Sequence, residues 1–290
     1  MRSVPRTALV HRLEAEVSEL QRRLSEAQGD LAEASGETLA ADHSSDPVIL
    51  DSFLREDLGE MPWLVPGLLA EGSVAIVVAH GGVGKTTLVT QLALSLAAGV
   101  HVAALDARIV EPSPVLYVAA EGARIAFRSR VETARRNLNI PAGGTRWFIQ
   151  PRDLSDYLIG SRGLERLVVK SGCRLAILDT LGYFWKGDRN SDTDWKERVM
   201  QPLRALIGRT GAAFLLVHHL GKGDDWKGRG TSAMFDDSDL FLQMEPGENA
   251  TPGNADQPVR LWVRKNKYAP SNYYFDLTYK TELAVFEKGY

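Results

Sequence analysis

The run Ala79-His80-Gly81-Gly82-Val83-Gly84-Lys85-Thr86-Thr87 packs flexible backbone, one lysine and two hydroxyls into nine positions. That mixture suits phosphate. Glycines let successive backbone N–H groups curl around phosphate oxygens, and a helix starting at the lysine adds its N-terminal dipole. Lys85 can then reach the β- and γ-phosphates of a nucleotide, while the Thr86 hydroxyl can ligate Mg²⁺. The expected nucleotide cradle is Gly81, Gly82, Val83, Gly84, Lys85, Thr86 and Thr87. Ala79 stands where this pattern carries its first glycine, a mild departure because Gly82 and Gly84 keep the flexible positions. An apolar run at 74–78 precedes the loop and a helix-like segment at 88–98 follows it. Strand, turn and helix in that order are the context a phosphate-binding loop requires. The expected ligand is a nucleoside triphosphate.

Three further polar side chains end apolar runs downstream. The run 174–179 closes on Asp179, a carboxylate expected beside Thr86 as a second holder of Mg²⁺, directly or through water. A turn-capping aspartate is the plainer alternative. The run 115–119 leads to Glu121. Open α/β sheets place their chemistry at the carboxyl ends of strands, so Glu121 should face the same crevice. There a carboxylate can orient an attacking water and take its proton. The alternative is a solvated glutamate at a helix start. The run 214–217 leads to His218-His219, of which His219 is the expected γ-phosphate contact. As metal ligands the pair lacks a nearby carboxylate or cysteine at suitable spacing.

These groups need a scaffold, and the pattern around them describes one. Strands are expected at 74–78, 115–119, 147–149, 175–178, 214–217, 239–244, 259–263 and 273–277, with helices at 86–98, 125–138, 161–170 and 195–210. Such alternation predicts an α/β fold with a mostly parallel central sheet. The last strands have no helices between them, so the C-terminal edge should be antiparallel. Upstream, Val10, Leu13, Val17, Leu20, Leu24, Ala27 and Leu31 follow a heptad seam. It reads either as a coiled coil recruiting a protein partner or as an amphipathic helix packed on its own domain. The expected organisation is an N-terminal helix at 1–33, a Ser/Ala/acid-rich linker at 34–48 and a globular domain at 49–290.

Composition narrows the class. A hydrophobic content of 44% is that of a globular chain, and a net charge of −3 excludes a globally basic coat for nucleic acid. A local basic channel stays compatible with that charge. Cys173, the single cysteine, excludes an internal disulfide and a cysteine-rich zinc site. No apolar run reaches the length of a membrane span, and the expected location is the cytoplasm.

The order of phosphate loop, Glu121, Asp179 and His219 resembles the RecA-type core. Within that group the chain is similar to the RepA-like hexameric replicative helicases of plasmids and phages. The stretches that carry the likeness are Pro62-Trp63-Leu64-Val65-Pro66-Gly67-Leu68, Ala120-Glu121 with Arg130 downstream, His218-His219, and Arg229-Gly230-Thr231-Ser232. The likeness spans about 62–277 and leaves out the heptads. It implies a RecA-like domain that uses ATP and Mg²⁺, a ring of subunits with ATP between them, and action on single-stranded DNA. One departure is plain: Asp239 stands where those helicases carry an arginine finger. The segment Val263-Arg264-Lys265-Asn266-Lys267-Tyr268-Ala269-Pro270 is instead similar to the part of RecA whose two lysines reach a neighbour's ATP, which assigns that role to Lys265 and Lys267. Two solvated strand-end lysines are the alternative. The likeness also places two loops in a central channel. One carries Tyr183, Phe184, Trp185 and Lys186, the other Lys222, Trp226, Lys227 and Arg229. Aromatics that stack bases beside cations that hold phosphates suit single strands, although aromatics also pack subunit interfaces. A recombination ATPase of RecA/RadA type and an assembly ATPase that never unwinds DNA are the rival readings.

Overall fold

The computed structural model describes residues 50–109, 111–141, 148–149, 153–188, 191–220, 232–248, 250 and 256–289. The heptads and the linker lie outside that set. The chain divides into two units, Met1–Glu60 and Met61–Tyr290. In the first, the described part holds a single helical turn, Leu50–Phe53. In the second, a short antiparallel ribbon of β1 (Trp63–Val65) and β2 (Leu69–Ala70) leads into β3 (Val74–Ala79), every residue of which is buried.

Helix α1 (Lys85–Ala98) follows β3 through a turn that only glycine fits at Gly84. Its φ of 99° lies in the left-handed region, and an added Cβ would sit 2.8 Å from the ring of Phe286. Strand β4 (Val115–Ala119), helix α2 (Arg124–Asn137) and the short strand β5 (Phe148–Ile149) come next. Then follow α3 (Arg162–Ser171), β6 (Leu175–Asp179) and the single turn α4 (Leu181–Phe184). Helix α5 is built from Asp192–Trp195, a π-helical stretch Lys196–Met200 and Gln201–Thr210, and it returns the chain to β7 (Ala213–His219). A short α6 (Ser232–Asp237) precedes four consecutive strands: β8 (Leu240–Pro246), β9 (Asp256–Asn266), β10 (Tyr273–Lys280) and β11 (Val285–Lys288).

Nine strands form one sheet in the order β11-β10-β9-β8-β3-β7-β6-β4-β5. From β8 to β5 every pairing is parallel, and from β8 outward to β11 every pairing is antiparallel. Both expectations, the parallel centre and the antiparallel edge, are met. Alternate residues of β3 feed two cores. Ala75, Val77 and Ala79 pack with α1 and with Val259, Leu261 and Val263 of β9, whereas Val74, Ile76 and Val78 pack with α3 and α5. A sheet buried on both faces is what near-continuous apolar strands demand.

Register fixes two opposed ends. At the carboxyl end of the parallel strands, Ala79 pairs with His219, Val217 with Asp179, and Asp179 with Ala119. At the amino end, antiparallel β9 sets Asn266 against Leu240 and Lys265 against Phe241. The six residues of β3 span the gap, about 20 Å at roughly 3.3 Å per residue.

Candidate active site

Lys85 projects from the first turn of α1 into a cleft lined by Gly82, Gly84, Thr86, Thr87, Arg130, His219 and Tyr279. It is 4% exposed. Its ammonium donates to the carbonyls of Ala79 at 2.8 Å and His80 at 2.9 Å, so the loop's own backbone holds it. Burial lowers its pKa to about 8, against the opposing pull of the Asp179 and Glu121 carboxylates. The buried cation is thus short of negative charge, which is the condition a triphosphate relieves.

Asp179, the last residue of β6, is also 4% exposed. Its Oδ2 accepts a 2.5 Å hydrogen bond from the Tyr117 hydroxyl, while its Oδ1 is buried with no hydrogen-bond partner. Burial raises its pKa, and the nearby Tyr117 and Thr86 hydroxyls lower it in part. An orphaned carboxylate oxygen next to the Thr86 hydroxyl fits a divalent cation. Among the described residues no group of three or more His, Cys, Asp or Glu side chains could hold a metal alone. A cation held there would take its remaining ligands from phosphate and water.

Glu121 lies just beyond the end of β4. Its Oε1 accepts from the Thr180 hydroxyl at 2.8 Å, and its Oε2 stands 3.5 Å from His219 Nε2. Thr180 is 3% exposed and follows Asp179 directly, so the strand that ends in Asp179 also positions the Glu121 carboxylate. The carboxylates of Glu121 and Asp179, the Lys85 ammonium and the His219 imidazole therefore converge at one end of the sheet, as the sequence implied. Sequence reasoning missed Tyr117, Thr180 and Tyr279 as site residues, and gave Arg130 no role. Tyr279 meets Thr87 Oγ1 at 3.2 Å and stacks on Phe286 at 4.8 Å. Arg130 could have been found from its place nine residues beyond Glu121, on the helix that follows β4; a tyrosine amid aliphatic residues was the only signal for Tyr117.

Lys265 and Lys267 sit at the other end of the sheet. Lys265 donates to the carbonyls of Phe235 at 2.8 Å and Asp236 at 2.6 Å, at the C-terminus of α6. Lys267 pairs with Asp239 at 2.8 Å. Burial and the charge of Lys267 lower the pKa of Lys265.

The first channel loop needs correction. Phe184 is fully buried and Trp185 is 5% exposed, both within the core beneath α5. Helix α4 puts Leu181 and Phe184 on one inward face three residues apart, and Trp185 packs edge-on against Trp195 at 5.9 Å. Only Tyr183, 51% exposed, and Lys186 face solvent from that set. Phe184 and Trp185 cannot stack bases in this arrangement. Lys222, Trp226, Lys227 and Arg229 lie outside the described residues.

The fold and this cleft define a P-loop nucleotide-binding protein. The chain belongs to the AAA domain family, whose model matches residues 47–225, a span that contains Lys85, Glu121, Asp179 and His219. That membership makes the protein an ATPase of the P-loop class. No helix among the described residues is long and apolar enough to cross a membrane.

Proposed function

We propose that the protein is a RecA-like, Mg²⁺-dependent ATPase that assembles head to tail, most simply as a hexameric ring, and moves along single-stranded DNA. The observation that carries this reading is the separation of the cations. Lys85 serves the nucleotide in its own subunit, whereas Lys265 and Lys267 stand at the opposite end of the sheet, too far to reach it. They can meet a nucleotide only in another copy. Repeating head-to-tail contacts of that kind build rings when the rotation closes.

Within one site, Thr86 and Asp179 would hold Mg²⁺, which supplies charge neutralisation for the phosphates. Glu121, oriented by Thr180 and His219, takes a proton from water as the water oxygen attacks the γ-phosphorus. The bond to the β–γ bridging oxygen breaks, and ADP and phosphate leave. His219 bridges Glu121 and the position of the γ-phosphate, so its contact changes when that group departs. Lysines from the neighbour would add positive charge where negative charge develops on the phosphate oxygens in the transition state.

Single-stranded DNA is the polymer that the exposed Tyr183 and Lys186, with Lys222, Trp226, Lys227 and Arg229, would suit. Strand displacement on a forked duplex tests the reading. ATP-dependent displacement supports a helicase. ATPase stimulation by single strands without displacement transfers the assignment to a recombination ATPase, and absence of any stimulation removes DNA from the account.

A further inference from the structure

Helix α2 has a charge balance unlike that of the chain as a whole. It holds five arginines, Arg124, Arg128, Arg130, Arg135 and Arg136, and one carboxylate, Glu132, in a protein whose net charge is −3. Its inward residues are Phe127 and Ala134, both buried. Arg130 lines the nucleotide cleft. Arg135 donates to Glu132 Oε1 at 2.8 Å and Oε2 at 3.1 Å, and Arg136 donates to Oε1 at 3.1 Å. Arg124 and Arg128 remain. Both are exposed, and among the described residues neither side chain has a hydrogen-bond or ion-pair partner.

This placement works against the helix that bears it. Arg124 is the first residue of α2, where the positive end of the helix dipole disfavours a cation. The first turn has no acid, and Ala123 before it offers no capping side chain. Arg124 and Arg128 stand four positions apart, so like charges neighbour each other on one stripe. Glu132 is four positions beyond Arg128 and within reach of it, yet its two oxygens go to Arg135 and Arg136. Ile125, 80% exposed, lies on the same stretch. Within the described residues nothing offsets these costs. A polyanion does.

We propose that the outer face of α2, through Arg124 and Arg128, binds the phosphate backbone of a nucleic-acid duplex. The inference rests on the DNA reading above and adds a second contact to it, for paired strands.

Position and composition select the duplex. Helix α2 packs through Phe127 on the core that contains Ala75, Val77 and Ala79. Phe184 and Trp185, beside the exposed Tyr183 and Lys186, belong to the core that contains Val74, Ile76 and Val78. The helix and that loop therefore lie on opposite faces of the sheet and cannot form one groove for one strand. Single strands are held by aromatic side chains interleaved with cations, and the one ring on α2, Phe127, is buried. A duplex hides its base faces and presents phosphate, which suits arginines without aromatics. A guanidinium can bond two phosphate oxygens at once. A protein partner fits less well, because protein interfaces centre on anchors set in desolvated pockets, and this face offers one isoleucine. Both α2 and the Tyr183–Lys186 loop follow the carboxyl ends of parallel strands, β4 and β6. Duplex and single strand thus meet one end of the sheet from its two sides.

Salt dependence tests the proposal. Binding of a short blunt duplex of mixed sequence is followed by fluorescence anisotropy against salt concentration, with Mg²⁺ and a non-hydrolysable ATP analogue present. A single strand of the same length is the second probe. At about 0.9 per duplex phosphate contact, Arg124→Ala/Arg128→Ala should lower the duplex salt slope by about 1.8 and leave the single-strand slope unchanged. Replacing Lys186, Lys222, Lys227 and Arg229 together should spare the duplex slope. Arg124→Gln/Arg128→Gln is the second variant should the alanine pair fail to fold. Because neither arginine has a partner, the melting temperature should not fall below the parent's, and Arg124→Glu should raise it. That pattern supports the proposal. A duplex slope equal to the parent's, or a fall in the single-strand slope instead, overturns it. A lowered melting temperature of both double variants overturns it by making the arginines structural, and loss of assembly in sedimentation overturns it by giving the face to a subunit contact. If the parent binds single strands but no duplex, the proposal fails alone; if it binds neither, the DNA reading fails with it.

Discussion

Replacing Lys85 with methionine should abolish nucleotide binding without unfolding the protein, and its effect is read directly as stability. The ammonium is held in a buried cleft with its pKa lowered from 10.5 to about 8. At 1.36 kcal/mol per unit, keeping that charge costs the empty protein about 3 kcal/mol at neutral pH. Against this, the carbonyls of Ala79 and His80 lose their donor, a loss of about 1–3 kcal/mol. The empty Lys85→Met protein should therefore be as stable as the parent or up to about 2 kcal/mol more stable. The sign of the pH dependence follows. Between pH 8 and about 10.4 the unfolded chain keeps the Lys85 proton that the folded chain releases, so the unfolded state binds more protons and parent stability rises with pH. Methionine removes that rise. Urea unfolding of both proteins at pH 7 and pH 9.5, with and without a non-hydrolysable ATP analogue and Mg²⁺, measures all of this. The analogue at about 100 times its Kd should add roughly 2.7 kcal/mol to the parent and nothing to the variant. An empty variant more than about 2 kcal/mol less stable than the parent at pH 7 would refute the reasoning. An equal alkaline gain in both proteins would do the same.

Other outcomes follow from the same cleft. Glu121→Gln should keep nucleotide affinity and lower turnover by roughly 10²–10⁴-fold in single-turnover assays, the usual worth of a general base; near-normal turnover would move the base elsewhere. Tyr117→Phe removes the donor that lowers the Asp179 pKa, so activity should be lost at a higher pH on acidification, with stability down by about 1.5–3 kcal/mol; an unmoved acid limb would separate Asp179 from the chemistry. Replacing Lys186, Lys222, Lys227 and Arg229 together should reduce the salt slope of single-strand binding by up to roughly 3, at about 0.7 per phosphate contact. A slope equal to that of the parent would place the DNA contact outside both loops.

The end of the sheet that carries the candidate site was legible in sequence because Asp179 and His219 end apolar strands and Glu121 closely follows one. Ala79, Asp179 and His219 come into register through parallel pairing, and no side-chain packing is needed to infer it. The loop after β6 was not legible. Its aromatics have the composition of a nucleic-acid surface, but α4 turns Phe184 inward and leaves only Tyr183 outside, and that depends on the packing of Trp185 on Trp195. The ion pair between Arg204 and Asp239 was equally hidden. Thirty-five positions separate its members, and only the return of α5 along the sheet joins them. The strand β11 gave little signal by itself, being four residues long. It is fixed by tertiary contacts: the Gln91 side chain donates to the Phe286 carbonyl at 2.9 Å and accepts from the Phe286 N–H at 2.7 Å.

The most direct test of a site shared between subunits is turnover per subunit measured across the concentration range of assembly, with oligomeric state followed by sedimentation on the same samples. A shared site predicts negligible specific activity for the monomer, a rise that tracks assembly, and a plateau once assembly is complete. Constant specific activity from monomer to full oligomer would show that each subunit hydrolyses ATP alone, and would contradict the account.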